Sequence, residues 1–185
     1  MVMQSLPGLR IDPVDRSGFD AFFAYLNDHI SDNGAVIYFQ PLSRSDAGVP
    51  PRIEASFREG LDIAPCYPGW RRAWAARSAN RQIIGHIDLR SRQDRFAEHR
   101  CLMGMGVHRD HRKRGIGRAL IEHAEQWARA NTALEWIDLQ VLSENTPAMQ
   151  LYARMGFELV GEIPDMFRID GRSFSYTTMA RKIAR

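Results

Sequence analysis

The chain has 185 residues, 44% hydrophobic and 25% charged, which is apolar content enough for one full core and fits a single globular domain. Its formal net charge of +3 is too mild for a nucleic-acid or membrane-surface binder. Cys66 and Cys101 do not make a disulfide framework, and no run of about 18 apolar residues could span a bilayer. The opening MVMQSLPGLRIDPVD lacks the basic-then-apolar order of a leader, so a cytoplasmic setting is the default expectation.

In chain order, Leu9 to Val14 reads as an edge strand, with Pro13 near its end. Ser17 followed by Asp20 resembles a helix start, and Phe19, Phe22, Phe23, Leu26 and Ile30 form one apolar stripe, a core face rather than a ligand box. Asn33-Gly34 ends that segment. From Val36 to Pro51 the signals divide: Val36-Ile37-Tyr38-Phe39 is strand-like, whereas Pro41, Ser43, Ser45, Asp46, Gly48, Pro50 and Pro51 read as loop. A short helix is predicted from about Pro51 to Leu61, with Ile53, Phe57 and Leu61 inward. Trp70 to Arg77 and Gln82 to Leu89 read as strands around a turn at Ser78 to Arg81, and His99 to Val107 follows as a third after the polar stretch Arg90 to Glu98. Within it Cys101 reads as a small buried thiol. Three such strands feeding a helix predict an antiparallel meander covered by helices.

The most informative stretch is Val107 to Ala130, VHRDHRKRGIGRALIEHAEQWARA, which reads as strand end, basic loop and helix. Ile116, Ala119, Leu120, His123, Ala124, Trp127 and Ala128 recur on one helix face. The first turn of such a helix offers unpartnered N–H groups and the positive end of its dipole. Gly115 and Gly117 let a ligand approach the backbone, while Arg112, Lys113, Arg114 and Arg118 add charge suited to a pyrophosphate. A P-loop is excluded because no Lys-Ser or Lys-Thr follows Gly117. The dinucleotide fingerprint fails too: Arg109 stands where a third glycine should follow Gly104-Met105-Gly106, and Leu120 where one should follow Gly115-Ile116-Gly117.

Downstream, Leu139-Gln140-Val141 reads as a strand, followed by Asn145-Thr146-Pro147-Ala148-Met149-Gln150-Leu151-Tyr152-Ala153-Arg154-Met155-Gly156-Phe157. Arg112 to Gly117 resembles the Arg/Gln-x-x-Gly-x-Gly/Ala loop of the GCN5-related N-acetyltransferases (GNAT), and this second block resembles their Asn-x-x-Ala-x-x-Leu-Tyr-x-x-x-Gly-Phe. The resemblance covers about Ile83 to Val160. It implies an α/β fold with a mixed, mostly antiparallel sheet flanked by helices, in which the Val107 and Leu139 strands are splayed parallel neighbours that form the acetyl-CoA cleft. One domain over 1–185 is expected, with acceptor-side elements in 1–82, the acetyl-CoA-binding core in 83–160 and a C-terminal hairpin in 161–185. Phe157 to Val160, Met166 to Ile169 and Phe174 to Ala180 supply the last strands, with Asp170-Gly171 as the hairpin turn.

The resemblance also implies transfer of an acetyl group from acetyl-CoA to a primary amine by direct attack. Arg112, Lys113, Arg114, Gly115, Ile116, Gly117 and Arg118 would hold the pyrophosphate. The backbones of Met105, Gly106 and Val107 would pair with the pantetheine arm, and Asn145, Ala148 and Tyr152 would also meet the cofactor. Tyr152 is the candidate general acid. Glutamates that serve relatives as bases correspond here to Cys101 and Gln140, neither a useful base. His86 and Asp88, which alternate onto one face of their strand, are the candidates in their place; Glu98 and His99 are weaker ones.

A lysine amine must lose its proton at about 4 to 5 kcal/mol at pH 7, an α-amine at about 1 to 2. A site without a strong base therefore suits a small-molecule amine or a protein N-terminus of low pKa. Tyr38, Phe39, Trp70 and Trp74 are candidate acceptor-pocket residues, with core packing the competing role for each. His108 and His111 lack a third metal ligand nearby, so no metal is expected. The partner expected is the amine substrate, with no nucleic acid and no membrane, and homodimerisation left open. A non-catalytic acyl-CoA sensor is the alternative function.

Overall fold

The computed structural model describes residues 8–46 and 48–183. In chain order it contains β1 (Arg10–Pro13), α1 (Phe19–Ser31), α2 (Pro51–Gly60), β2 (Arg71–Arg77), β3 (Ile83–Ser91), β4 (Arg100–Val107), α3 (Ile116–Asn131), β5 (Trp136–Leu142), α4 (Thr146–Arg154), β6 (Glu158–Ile169) and β7 (Arg172–Lys182). The strands form one sheet in the order β1-β2-β3-β4-β5-β7-β6. Every pairing is antiparallel except β4 with β5. This is the mixed, mostly antiparallel α/β architecture expected.

Strand alternation divides the core between the two sheet faces. On one face Ile87, Leu89, Cys101, Met103, Ile137, Leu139 and Val141 pack with Ile116, Leu120, Ala124 and Ala128 of α3 and with Tyr152 of α4. The opposite face carries α1 and α2, whose Phe19, Phe22, Phe23, Leu26 and Phe57 cluster with Ala73 and Ala75 of β2. The α1 stripe thus folds as read, but its start differs. The Asp15 carboxylate accepts from the Gly18 N–H (3.0 Å) and the Ser17 hydroxyl (2.6 Å), so Asp15 caps a single 3-10 turn, Arg16–Gly18, that leads into α1, and α1 itself starts after Gly18 without a side-chain cap.

Two readings need correction. Val36 to Phe39 is not a strand, because the buried Asn33 side chain organises this segment in place of a ladder. Its Oδ1 accepts from the N–H of Phe39 (2.8 Å) and Gln40 (3.0 Å), and its Nδ2 donates to the carbonyls of Gln40 (3.2 Å) and Leu42 (2.8 Å). Phe157 to Val160 and Met166 to Ile169 are not separate strands either. Glu158–Ile169 is one edge strand, with register breaks at Leu159/Gly161 and Ile163/Phe167. The second break encloses Pro164, which has no N–H to give a ladder. The Asp170-Gly171 turn is as predicted, both residues having positive φ (48° and 76°).

Candidate functional site

β4 and β5 pair only at Arg100↔Trp136, Cys101↔Ile137 and Leu102↔Asp138. Beyond Leu102 the two strands part, and the edge of β4 from Met103 to Val107 is left without a partner from β5. The gap opens a cleft of about 1390 Å³ that crosses the sheet from the α3 and α4 face to the α1 face. The splayed parallel pair expected from the sequence is therefore present, and Met105, Gly106 and Val107 line it.

At one end of the cleft stands the first turn of α3. Gly115 adopts φ +82° and Lys113 φ +59°, and no side chain caps the helix, so its leading N–H groups remain available. A Cβ on Gly117 would stand 2.9 Å from Leu151 Cδ2 and 3.2 Å from Met105 Cε, which is how closely loop and α4 approach. Gly115, Ile116, Gly117, Arg118, Lys113 and Arg112 all line the cleft. Their charges are not equivalent. Arg112 donates through Nε to the Val107 carbonyl (3.2 Å) and pairs with Asp32, and Arg118 pairs with Glu122 (2.8 Å). Lys113 and Arg114 are exposed and form no ion pair among the described residues. A long cofactor ending in clustered phosphates fits this donor set and shape.

Asn145 and Ala148 also line the cleft, joined by the helix cap in which Asn145 Oδ1 accepts from the Ala148 N–H at 3.4 Å. Tyr152 is buried beside Phe157 (ring centroids 5.9 Å), and its hydroxyl bonds to no described residue. Burial first, and then Tyr176 nearby, raise its phenol well above the usual value, so it keeps its proton at any physiological pH.

On the α1 face the expected pair is present but differently employed. Asp88 accepts from Arg71 Nε (3.1 Å) and Nη2 (3.0 Å) and from Arg90 Nη1 (2.9 Å). Burial would raise its pKa, but Arg71 and then Arg90 outweigh it and hold the carboxyl below its ordinary value. His86 is buried, with Nδ1 3.3 Å from the Tyr25 hydroxyl, and burial pushes its pKa down to about 4. Cys101 is wholly buried on the α3 face, where burial pushes the thiol up, while Gln140 is exposed to the cleft. Glu98 and His99 are exposed beside the opposite end of β4 from Val107.

Sequence reasoning missed His29, Tyr25 and Arg90. His29 lines the cleft, is only 6% exposed, and has no hydrogen-bond partner for Nδ1. Its ring lies 4.8 Å from Phe39, 6.0 Å from Tyr25 and 5.6 Å from His86, and burial brings its pKa down to about 3. The available signal was a histidine seven residues after Phe22 on the apolar stripe of α1. Gly106 makes room for this cluster: a Cβ there would lie 2.3 Å from His29 Nε2 and 2.8 Å from His86 Cε1. Of the aromatic candidates for the acceptor pocket, Phe39 lines the cleft. Tyr38 instead packs on Phe174 and donates to Asp170 (2.6 Å), while Trp70 and Trp74 pack against Trp127 on the α3 face.

Residues 45–157 match the Acetyltransferase (GNAT) family. Over 82 residues the chain is 34% identical to a streptothricin acetyltransferase of Escherichia coli, covering 44% of this chain and 45% of that protein. Over 83 residues it is 30% identical to the L-amino acid N-acetyltransferase AaaT of Escherichia coli strain K12, covering 43% and 49%. The chain thus spans about half the length of the relatives it matches. The fold is similar to that of yncA from Salmonella typhimurium, solved with its cofactor acetyl-CoA, with a TM-score of 0.75 at 16% identity over 96% of this chain and 95% of that one. The strand gap, the glycine-led helix start and the family match lead to one statement: this chain belongs to the acetyltransferase (GNAT) family.

Proposed function

We propose that the protein is an acetyl-CoA-dependent N-acetyltransferase acting on a primary amine, and that the cleft between β4 and β5 is where the two substrates meet. The observation that carries this reading is the splay itself. A strand edge freed beyond Leu102, a positive helix start at one end and a phenol in between form a channel for a long anionic thioester. Acetyl-CoA, when bound, supplies the activated acetyl group.

The residues divide the remaining tasks. Backbone N–H groups of 114–118, with Lys113 and Arg114, hold phosphates, and the free edge of Met105 to Val107 offers the pairing of a missing strand. Tyr152 holds a proton that a departing sulfur can take. The amine has to lose a proton, and the carboxylate expected to take it, Asp88, is committed to Arg71 and Arg90. Neutral His86 and His29 can accept a hydrogen bond from an amine that is already unprotonated, directly or through water. This favours acceptors of low pKa, with lysine side chains the poorest.

The test is thiol release from acetyl-CoA across a panel of amines at several pH values, with wild type beside Tyr152→Phe. Loss of the general acid should lower kcat by about 10²- to 10⁴-fold while CoA binding is unchanged. Unaltered turnover in Tyr152→Phe would remove that residue from the chemistry. Tight CoA binding with no turnover on any amine would favour an acyl-CoA sensor, a reading that the commitment of Asp88 to two arginines supports.

A further inference from the structure

Charge on the acceptor side of the cleft is unbalanced. Arg71 and Arg90 share the single carboxylate of Asp88, so this buried group of three carries one excess positive charge. Arg71 spends the rest of its hydrogen-bonding capacity inward, donating to Ser56 Oγ (3.3 Å) and stacking 3.4 Å from the Phe57 ring centre. Arg90 is the outer member: its side chain is 34% exposed, it lines the cleft, and among the described residues Asp88 is its one carboxylate partner. Gly104 admits it, since a Cβ there would stand 3.0 Å from Arg90 Nη1.

Among the described residues, the carboxylates nearest in the sheet and in the cleft lining are already paired. Asp138, on the adjoining strand β5, is held by Arg92 (2.9 Å) and by Arg100 Nε (2.9 Å), and Arg92 in turn pairs with Asp94 (2.8 Å). That cluster is balanced, two arginines to two aspartates. The carboxylates that line the cleft, Glu122 and Glu125, both lie on α3 and are paired with Arg118 and with Arg129 and Arg181. Arg90 shares the cleft lining with His29, Phe39, Gln40, Gln140 and Tyr176; Arg112, 5.8 Å from the Phe39 ring centre, also lines it but has Asp32 as its own partner, so Arg90 is the cation in this group left without a carboxylate of its own. Tyr176, which shares the cleft lining with Arg90 and Tyr152, has its phenol raised by burial, with the Arg90 charge acting in the opposite direction.

A partly desolvated arginine without a full counter-charge is a recognition element for an oxyanion, which its planar fork meets with two parallel hydrogen bonds. We propose that the acceptor is a small amine that also bears a carboxylate or similar oxyanion, and that Arg90 holds this anionic group; the proposal rests on the acetyltransferase reading above. A polycationic acceptor would meet repulsion where this one meets a partner.

The experiment compares kcat/KM for a set of α-amino acids, the corresponding amino acid amides and spermidine, using wild type, Arg90→Gln and Arg90→Lys. Wild type should prefer the acids, and Arg90→Gln should lose about 10- to 100-fold on the acids through KM while changing little on the amides. Arg90→Lys, which keeps the charge without the fork, should fall between. In parallel, calorimetry on the CoA complexes should show N-acetyl amino acids binding more tightly than their amides in wild type, and equally in Arg90→Gln. That arm reads the anion site even where turnover fails, and CoA binding unchanged in Arg90→Gln separates the two ideas. Amides or spermidine used as well as the acids, or no acid preference in binding, overturns the proposal.

Discussion

His29 and His86 make a quantitative prediction about pH. Both are buried and neutral in the native protein, with pKa values brought down to about 3 and about 4 by loss of hydration, against about 6.5 in an unfolded chain. The unfolded state therefore binds more protons between these limits. The stability that each contributes is present above pH ~6.5 and lost as pH falls toward the native value. At pH 5 an unfolded histidine is about 97% protonated while these two are not, so each loses about 2 kcal/mol, about 4 together. With a urea m-value of about 2 kcal/mol/M, the unfolding midpoint should fall by about 2 M between pH 7.5 and pH 5. His123, half-buried with a pKa also lowered by burial, adds in the same direction. Asp88, held below its ordinary carboxylate value, adds nothing in this window. The assay is urea unfolding at the two pH values for wild type, His29→Gln and His86→Gln. Each variant should remove about half of the slope, whatever it does to absolute stability. A wild-type midpoint that does not move, or a slope unchanged in both variants, would refute the burial of these imidazoles.

Gly106→Ala should destabilise by about 1 to 3 kcal/mol, because its Cβ would overlap two buried imidazoles held by Phe39 and Tyr25. Gly161→Ala, whose Cβ would meet nothing within 4 Å, is the matched control; equal urea midpoints for the two would contradict the packing. Asn33→Ala removes four hydrogen bonds that shape residues 39–42 and should cost about 2 to 4 kcal/mol, read by urea unfolding. Since Phe39 and Gln40 line the cleft, the acceptor KM should rise with the CoA affinity unchanged.

What could be read in the sequence was whatever depends on backbone and period. The α3 stripe, the β2 to β4 meander, the Asp170-Gly171 turn and the glycine-led loop all follow from local geometry, and they are where the structure has them. The acceptor side was illegible for a physical reason: it is built from contacts far apart in the chain. The segment from Asn33 to Arg44 takes its shape from Asn33 at one end and from Asp170 at the other, which accepts from Tyr38 and the Arg44 N–H (3.0 Å). The Val36 to Phe39 run has strand propensity but pairs with no strand, because Asn33 takes up the N–H of Phe39 and Gln40 instead. Alternation correctly put His86 and Asp88 on one face; it could not reveal that Arg71, from the neighbouring strand, would claim the carboxylate.

That claim on Asp88 shapes the chemistry more than any missing glutamate does. If Asp88 were free, it would be a buried anion just behind the cleft wall at Gly104, placed to attract cations and to take a proton. Bound by two arginines, it becomes the anchor of a cation instead, and the acceptor end changes sign. The same substitution of roles leaves His29 and His86 without an acidic partner to keep them protonated, so burial decides their state and both remain neutral. A face with one positive fork and two neutral imidazoles cannot draw in an ammonium by charge. On the proposed reading it is approached by an amine whose own anion is attracted to the site, after which the neutral imidazoles offer acceptors for the amine's hydrogens. The two arginines on one aspartate thus link the choice of acceptor to the disposal of its proton.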